Sequence, residues 1–394
     1  MTVSPAVETV WPALAAALAD ELAQLGKLSD PGWRAAVAAV PRHRLVPRFW
    51  TQNNTGAWVE TDTATVAPEQ WLERVYSNQV LISALDFAGV AMRSSSSQPG
   101  LMVRMLEALQ ITEGHRVLEI GTGTGYNAAL LSHRLGDQNV FSVDVEPDLV
   151  DLARDRLAEL GYTPVLVADD GALGLPEHAP FDRIIATCAV PAVPWAWIDQ
   201  LAPGGEVLTD VKIAINAGSL VKLRRAGDRA EGRFDPVWAG FMNLHPEPTA
   251  AGPAARAARA RRGPGVEGRT SAVEARTPWA SLLVWFLAAF EIGPDVSIGY
   301  TGTDITRPPS AVRISTLDGS WAEIGIDAAE NGRYAVSEGG PRALWRMVEQ
   351  AHELWGRHGQ PGWERFGLTV TPDRQTVWLD GPDQTPRWEL PVSR

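Results

Sequence analysis

The run Val117-Leu118-Glu119-Ile120-Gly121-Thr122-Gly123-Thr124-Gly125-Tyr126-Asn127 decides how the rest of the chain is read. Apolar residues flank one acid, Glu119, and then give way to glycines at alternate positions before an Ala/Leu segment at 128–135. This order predicts a buried strand, a tight turn and a helix N-terminus, where missing Cβ atoms let a bulky ligand approach the backbone. The spacing is G-x-G-x-G, distinct from the G-x-G-x-x-G of dinucleotide folds.

Working outward, β and α patterns alternate. Strands are predicted at 140–145, 165–168, 182–187 and 207–211, with a helix at 147–160. Such alternation implies an α/β fold, a mostly parallel sheet with helices on both faces and ligands beyond the carboxyl ends of its strands. The second strand ends in Asp144-Val145, with Asp144 about 20 residues beyond the loop, where an acid can accept from ribose hydroxyls. A solvated acid at a strand end reads equally well there. Asp169-Asp170-Gly171 closes the third strand, so Asp170 can accept from an adenine amino group and Gly171 permits close approach. The fourth strand, Phe181-Asp182-Arg183-Ile184-Ile185-Ala186-Thr187, is followed by Pro203-Gly204-Gly205.

Upstream, Leu14, Leu18, Leu22 and Leu25 share one helical face. Ser29-Asp30 before Pro31 caps a second helix through Trp33, Val37 and Val40, which Pro41 ends. Residues 75–99 read as a polar loop, and a helix is expected over 100–109. Downstream, a strand pair is expected at 219–225 and 236–244. The chain is thus divided into an N-terminal helical segment (1–75), a core (76–245), a Pro/Ala/Gly/Arg-rich linker (246–276) and an α+β unit (277–394). Arg256, Arg259, Arg261 and Arg262 make the linker locally basic, either as a solvated connector or as a handle for an acidic peptide. The last unit holds Trp279, Trp285, Trp321, Trp345, Trp355, Trp363, Trp378 and Trp388, a density that suits core packing or a peptide-binding face.

Composition removes several function classes. Among 394 residues, 47 acidic against 35 basic side chains leave a net charge of −12, which disfavours nucleic acid and anionic membrane as partners. Cys188 is the one cysteine, so no intrachain disulfide forms. The first residues carry no basic, apolar leader pattern and no apolar run is long enough to span a bilayer, so a soluble cytoplasmic protein is expected.

With its glutamate two positions before the first glycine, the loop resembles the S-adenosylmethionine (SAM) loop of class I methyltransferases. That resemblance implies a Rossmann-like core with SAM as cofactor, held by Glu119, Gly121, Thr122, Gly123, Gly125, Tyr126, Asn127, Asp144, Val145, Asp170, Gly171 and Thr187. More specifically, residues 10–245 resemble protein-L-isoaspartate O-methyltransferases. The segments that carry this are Val-Pro-Arg-His-Arg-Leu-Val-Pro (40–47), Tyr-Ser-Asn-Gln-Val-Leu (76–81), Ser-Gln-Pro (97–99), Leu-Pro-Glu-His-Ala-Pro-Phe-Asp-Arg-Ile-Ile (175–185) and Gln-Leu-Ala-Pro-Gly-Gly (200–205).

In that family a serine within Thr-Ile-Ser-X-Pro lies beside the substrate carboxylate, and Ser97 matches it, with Ser96 beside it. Ser97 precedes Pro99 at the start of the 100–109 helix, where hydroxyls, free N–H groups and Gly100 could receive a carboxylate or simply cap the helix. Here Ser95-Ser96-Ser97 replaces Thr-Ile-Ser, and Ala-Gly-Val-Ala-Met-Arg (88–93) replaces a glycine-rich run, so the substrate side departs from the pattern. The C-terminal unit, unusual for repair enzymes, departs further. Segments 332–341 and 361–373 resemble a narrower branch that matures ribosomally synthesised peptides alongside ATP-grasp ligases or lanthionine synthetases. The resemblance implies esterification of a peptide aspartate, leading to an aspartimide or isoaspartate. Repair of isoaspartyl proteins is the alternative, and a SAM-binding peptide subunit without transferase activity is a third.

Little acid–base equipment is required. A carboxylate with a free pKa near ~4 is already the nucleophile at neutral pH, so alignment and exclusion of water are the tasks. His43 is expected to anchor the N-terminal helix, His133 and His178 lack partners at metal spacing, and no metal is expected. Cys188 reads as a small buried residue.

Overall fold

The computed structural model describes residues 5–53, 56–86, 92–245, 268–301 and 308–390. Helix Pro5–Gln24 buries Leu18 and Leu22, and helix Pro31–Ala39 begins where Asp30 accepts from the Trp33 amide at 2.9 Å. Leu25 does not continue the first apolar face: it lies past the helix end and is 54% exposed.

The loop expected over 75–99 is instead half of a four-stranded antiparallel sheet, in the order Trp58–Thr61, Phe49–Gln52, Leu81–Leu85, Met92–Ser96. In Met92–Ser96 it is Ser94 and Ser96 that turn inward. The period of two is present, but it is written in serines, so no apolar contrast advertises it. Of the atypical 88–93 segment, residues 88–91 lie outside the described residues.

The central sheet has ten strands. From one edge they run Arg387–Glu389, Gln375–Leu379, Phe366–Val370, Arg229–Phe234, Ala217–Ala226, Leu201–Ala214, Phe181–Val190, Val117–Ile120, Val140–Asp144, Val165–Ala168. The stretch from 201–214 to 165–168 is parallel and the remainder antiparallel, a more mixed sheet than expected. Chain order reverses between Val117–Ile120 and Phe181–Val190, which opens a crevice at their carboxyl ends. The strand expected at 236–244 makes only an isolated bridge, Asn243 to Ala189. Its place is taken by Arg229–Phe234, because the two-residue Gly227-Asp228 turn pairs Ala226 with Arg229 and fixes the hairpin register.

After residue 268 the chain builds a five-stranded antiparallel sheet, in the order Arg269–Ser271, Tyr334–Gly339, Trp321–Ala328, Ala311–Ser315, Ser297–Thr301. Helix Leu282–Ile292, apolar except for Glu291, packs on strands 201–214 and 217–226 and under helix Leu344–Arg357. One buried cluster therefore runs unbroken from Leu118 to Leu390. Trp285, Trp321, Trp345, Trp363 and Trp378 are buried and Trp355 and Trp388 half-buried, so the tryptophan density is core packing. Of these eight, Trp279 alone is exposed, stacked on Tyr300 at 5.2 Å. The basic run 256–262 lies outside the described residues.

Candidate active site

Strand Val117–Ile120 is buried along its whole length and delivers the glycine turn to the crevice. The Thr187 hydroxyl is shared between the carbonyls of Ile120 (3.1 Å) and Gly121 (2.9 Å). Gly121 has φ +98°, and a Cβ there would meet Thr187 Oγ1 at 2.7 Å. Gly123 has φ +51°, and its Cβ would lie 3.4 Å from Ser94 Oγ. The loop is thus held between Thr187 and strand Met92–Ser96 in a conformation glycine adopts without strain. Gly125 stands at the N-cap of helix Tyr126–Leu135.

Glu119 is almost fully buried, and its oxygens accept from Asn127 Nδ2 (2.8 Å) and Ser142 Oγ (2.7 Å). Thr122 Oγ1 reaches the same Ser142 hydroxyl at 2.7 Å. Burial, the dominant influence, pushes the Glu119 carboxyl up to about 7 against those stabilising hydrogen bonds. Asn127 Oδ1 is buried without a partner, an acceptor turned away from water. Asp144 ends its strand with Oδ2 accepting from the Gly123 amide (2.9 Å) and Oδ1 from the Glu146 amide (3.2 Å). Burial raises its pKa against these bonds, and each oxygen keeps a further lone pair.

The predicted residues separate into two groups. Ser96, Ser97, Glu119, Gly121, Thr122, Gly123, Tyr126, Asn127 and Thr187 line one cleft, joined by Ser95, Met102 and Thr124. Gly125, Asp144, Val145, Asp170 and Gly171 do not line it. Asp170 caps the short turn Gly171–Leu173, accepting from the Ala172 amide at 2.9 Å. A Cβ on Gly171 would lie 2.8 Å from Ile120 Cγ2 and 3.3 Å from Leu244, so close packing within the protein already accounts for that glycine.

On the opposite wall the serines are organised by a residue to which sequence reasoning gave no role. Arg42, fully buried, donates to the carbonyls of Val75 (2.8 Å), Ser77 (3.0 Å) and Gln79 (3.2 Å). It also donates to Ser96 Oγ (3.2 Å) and the Ser97 carbonyl (3.3 Å), with its guanidinium 5.4 Å from the Tyr126 ring centre. Burial lowers its pKa to about 10, which still leaves it charged. It is the Arg of the quoted Val-Pro-Arg-His-Arg segment, which gives no local sign of these distant carbonyl partners. Ser97 does not cap helix Pro99–Ala108: Gln98 holds the N-cap position, and no side chain caps it. The Gly100 amide is also not free for a ligand, because it donates to Asn78 Oδ1 at 2.9 Å.

His43 bonds Tyr76 through Nδ1 at 2.8 Å and packs against Trp11, the anchoring arrangement expected. Burial pulls its pKa down to about 4, so the ring is neutral. Cys188 is buried, and burial pushes its thiol pKa up.

Residues 48–233 match the family described as Protein-L-isoaspartate(D-aspartate) O-methyltransferase (PCMT). The protein-L-isoaspartate O-methyltransferase of Anaeromyxobacter dehalogenans strain 2CP-C is 39% identical over 190 residues, 48% of this chain and 87% of that protein. Protein-L-isoaspartate O-methyltransferase 2 of Pelobacter propionicus is 44% identical over 133 residues, 34% of this chain; the match spans 58% of that relative's length. A solved structure of a protein-L-isoaspartate O-methyltransferase, 22% identical with a TM-score of 0.52, overlaps 92% of this chain and 99% of its own. That overlap extends beyond residues 10–245, so a C-terminal unit is compatible with the fold. The chain belongs to the protein-L-isoaspartate O-methyltransferase family.

Proposed function

We propose that the protein is a SAM-dependent carboxyl O-methyltransferase whose acceptor is the side-chain carboxylate of an L-isoaspartyl residue in a polypeptide. The observation that carries this reading is the meeting, in one cleft, of the Glu119–glycine loop and the serine strand held by Arg42. Family membership supports the same acceptor.

The residues fit the cofactor. Glu119 and the unpartnered Asn127 Oδ1 offer buried acceptors for the ammonium of its methionine part. The remaining lone pairs of Asp144 suit ribose hydroxyls, and Asp170 with Val145 would border the adenine. When bound, SAM supplies an electrophilic sulfonium methyl. The chain's own residues then have a positioning task. Ser97 and Ser96 orient the acceptor carboxylate, and Arg42 fixes the strand that carries them. No general base is required, since the acceptor is ionised at neutral pH.

A second reading takes an aspartate of a modified ribosomal peptide to an aspartimide or isoaspartate. Ser95-Ser96-Ser97 favours it, because the substrate wall differs from Thr-Ile-Ser while the cofactor loop does not. The segments 332–341 and 361–373 lend it less, since strands Tyr334–Gly339 and Phe366–Val370 serve as sheet scaffold. Counting base-labile methyl ester on an isoaspartyl peptide, its aspartyl isomer and a cyclised precursor separates the two. Ester on the first alone supports repair, and ester on the last alone supports maturation.

A further inference from the structure

Outside the methyl-transfer cleft, a cavity of about 360 Å³ lies between the four-stranded sheet and helix Pro147–Glu159. Arg48, Arg93 and Arg156 line it, together with Trp50 and Ser83. Their charges are unequally engaged. Arg93 is taken up by Glu146 (2.5 Å) and Asp148 (3.0 Å). Asp86, the other acid in the lining, has a partner of its own. Arg48 reaches Glu60 only at 3.6 Å, on an exposed side. Arg156 makes no ion pair among the described residues and donates to the Leu45 carbonyl at 3.1 Å. Glu159, nearby on its helix, is drawn off by Arg44 at 2.9 Å. Arg48 and Arg156 border the same volume, and burial and the charge of Arg48 lower the pKa of Arg156 against the opposing charge of Glu159. The Ser83 hydroxyl, also in the lining, is buried and unpartnered. Two cations around an open volume are the main requirement of an oxyanion site.

The cavity adjoins the cleft. Gly123 and Thr124 line both, and strand Met92–Ser96 gives Arg93 to one and Ser95 and Ser96 to the other. From Arg93 to Ser97 an extended chain covers roughly 13 Å, about four residues.

We propose that the Arg48–Arg156 cavity is a specificity subsite for a second carboxylate of the polypeptide substrate, an acidic side chain about four residues from the methylated one. The inference rests on the carboxyl methyltransferase reading. Trp50, with the Arg48 guanidinium 5.7 Å from its ring centre, supplies an indole wall for the stem of that side chain.

The test uses pairs of isoaspartyl peptides identical except for Glu or Gln about four residues to either side of the acceptor. Both kcat/KM and equilibrium binding by titration calorimetry are measured on the full chain with SAM or its demethylated product. In one pair the Glu peptide is favoured about tenfold at low salt, and in both Arg156→Met and Arg48→Met the ratio falls to about one with SAM affinity unchanged. Arg48 is exposed, so its variant remains informative should Arg156→Met fold poorly. A wild-type ratio near one in every pair, or a ratio kept by the variants, overturns the subsite. Absence of methyl transfer to all peptides would instead remove the methyltransferase reading, and the calorimetric ratio would still judge the cavity.

Discussion

Arg42 holds Ser97 in place from behind: its guanidinium donates to the Ser97 carbonyl at 3.3 Å and to the neighbouring Ser96 hydroxyl at 3.2 Å. The same group also ties down the carbonyls of Val75, Ser77 and Gln79. One buried cation therefore fixes both the chain leading into the four-stranded sheet and the strand that faces the glycine loop.

Arg42→Met should destabilise the fold by about 3 kcal/mol, because several buried carbonyls lose their donor. Thermal unfolding measures this. Arg42→Lys should recover only part of it, since an ammonium cannot reproduce the planar fork. A variant as stable as wild type would deny Arg42 its organising place.

Ser97→Ala leaves the fold and the cofactor wall intact. Turnover with a peptide acceptor should fall about tenfold, the worth of one hydrogen bond to a charged group, with SAM affinity within about twofold. Steady-state kinetics and calorimetry together check it, and equal loss in both would make Ser97 a structural residue.

Glu119 gives a pH prediction with a definite sign. Burial raises its folded pKa to about 7, above the ordinary glutamate value of 4.5, so between those values the folded chain binds more protons than the unfolded chain. Its contribution to unliganded stability is therefore present at low pH and is lost as pH rises through that window. A bound ammonium would favour the ionised form, so SAM affinity should strengthen from about pH 6 to about pH 8. Glu119→Gln should flatten both profiles, as read by thermal shift and calorimetry. An unchanged pH slope in the variant would reassign the titration to another group.

The C-terminal region should not be removable. Strand Phe366–Val370 pairs with Arg229–Phe234, and helix Leu282–Ile292 covers the same sheet. Ending the chain before Thr277 would expose that apolar face, so the truncated protein should aggregate or unfold. A soluble, cooperative truncation with full SAM affinity would contradict the continuous core.

The legible part of this molecule was the part where polarity contrast and backbone geometry agree. Val117–Ile120, Val140–Asp144 and Val165–Ala168 are apolar runs ended by glycine or acid, and their strands lie close to where they are predicted. Met92–Ser96 was hidden because its inward positions are serines, and Arg229–Phe234 because its strand character comes from the Gly227-Asp228 turn and its partners. Arg42 was hidden for a different reason: its value lies in carbonyls 33 to 55 residues away, which no local pattern reveals. Asp144 is legible at its strand end, but its engagement with the Gly123 amide depends on the folded loop.

The most direct measurement is methyl transfer from SAM to an L-isoaspartyl peptide beside its aspartyl isomer, under identical conditions with wild-type protein. Base-labile ester is expected on the isoaspartyl peptide and at least about a hundredfold less on the aspartyl one, the discrimination a site gains by aligning one carboxylate geometry. Confirmed SAM binding with no ester on the isoaspartyl peptide would contradict the proposed function.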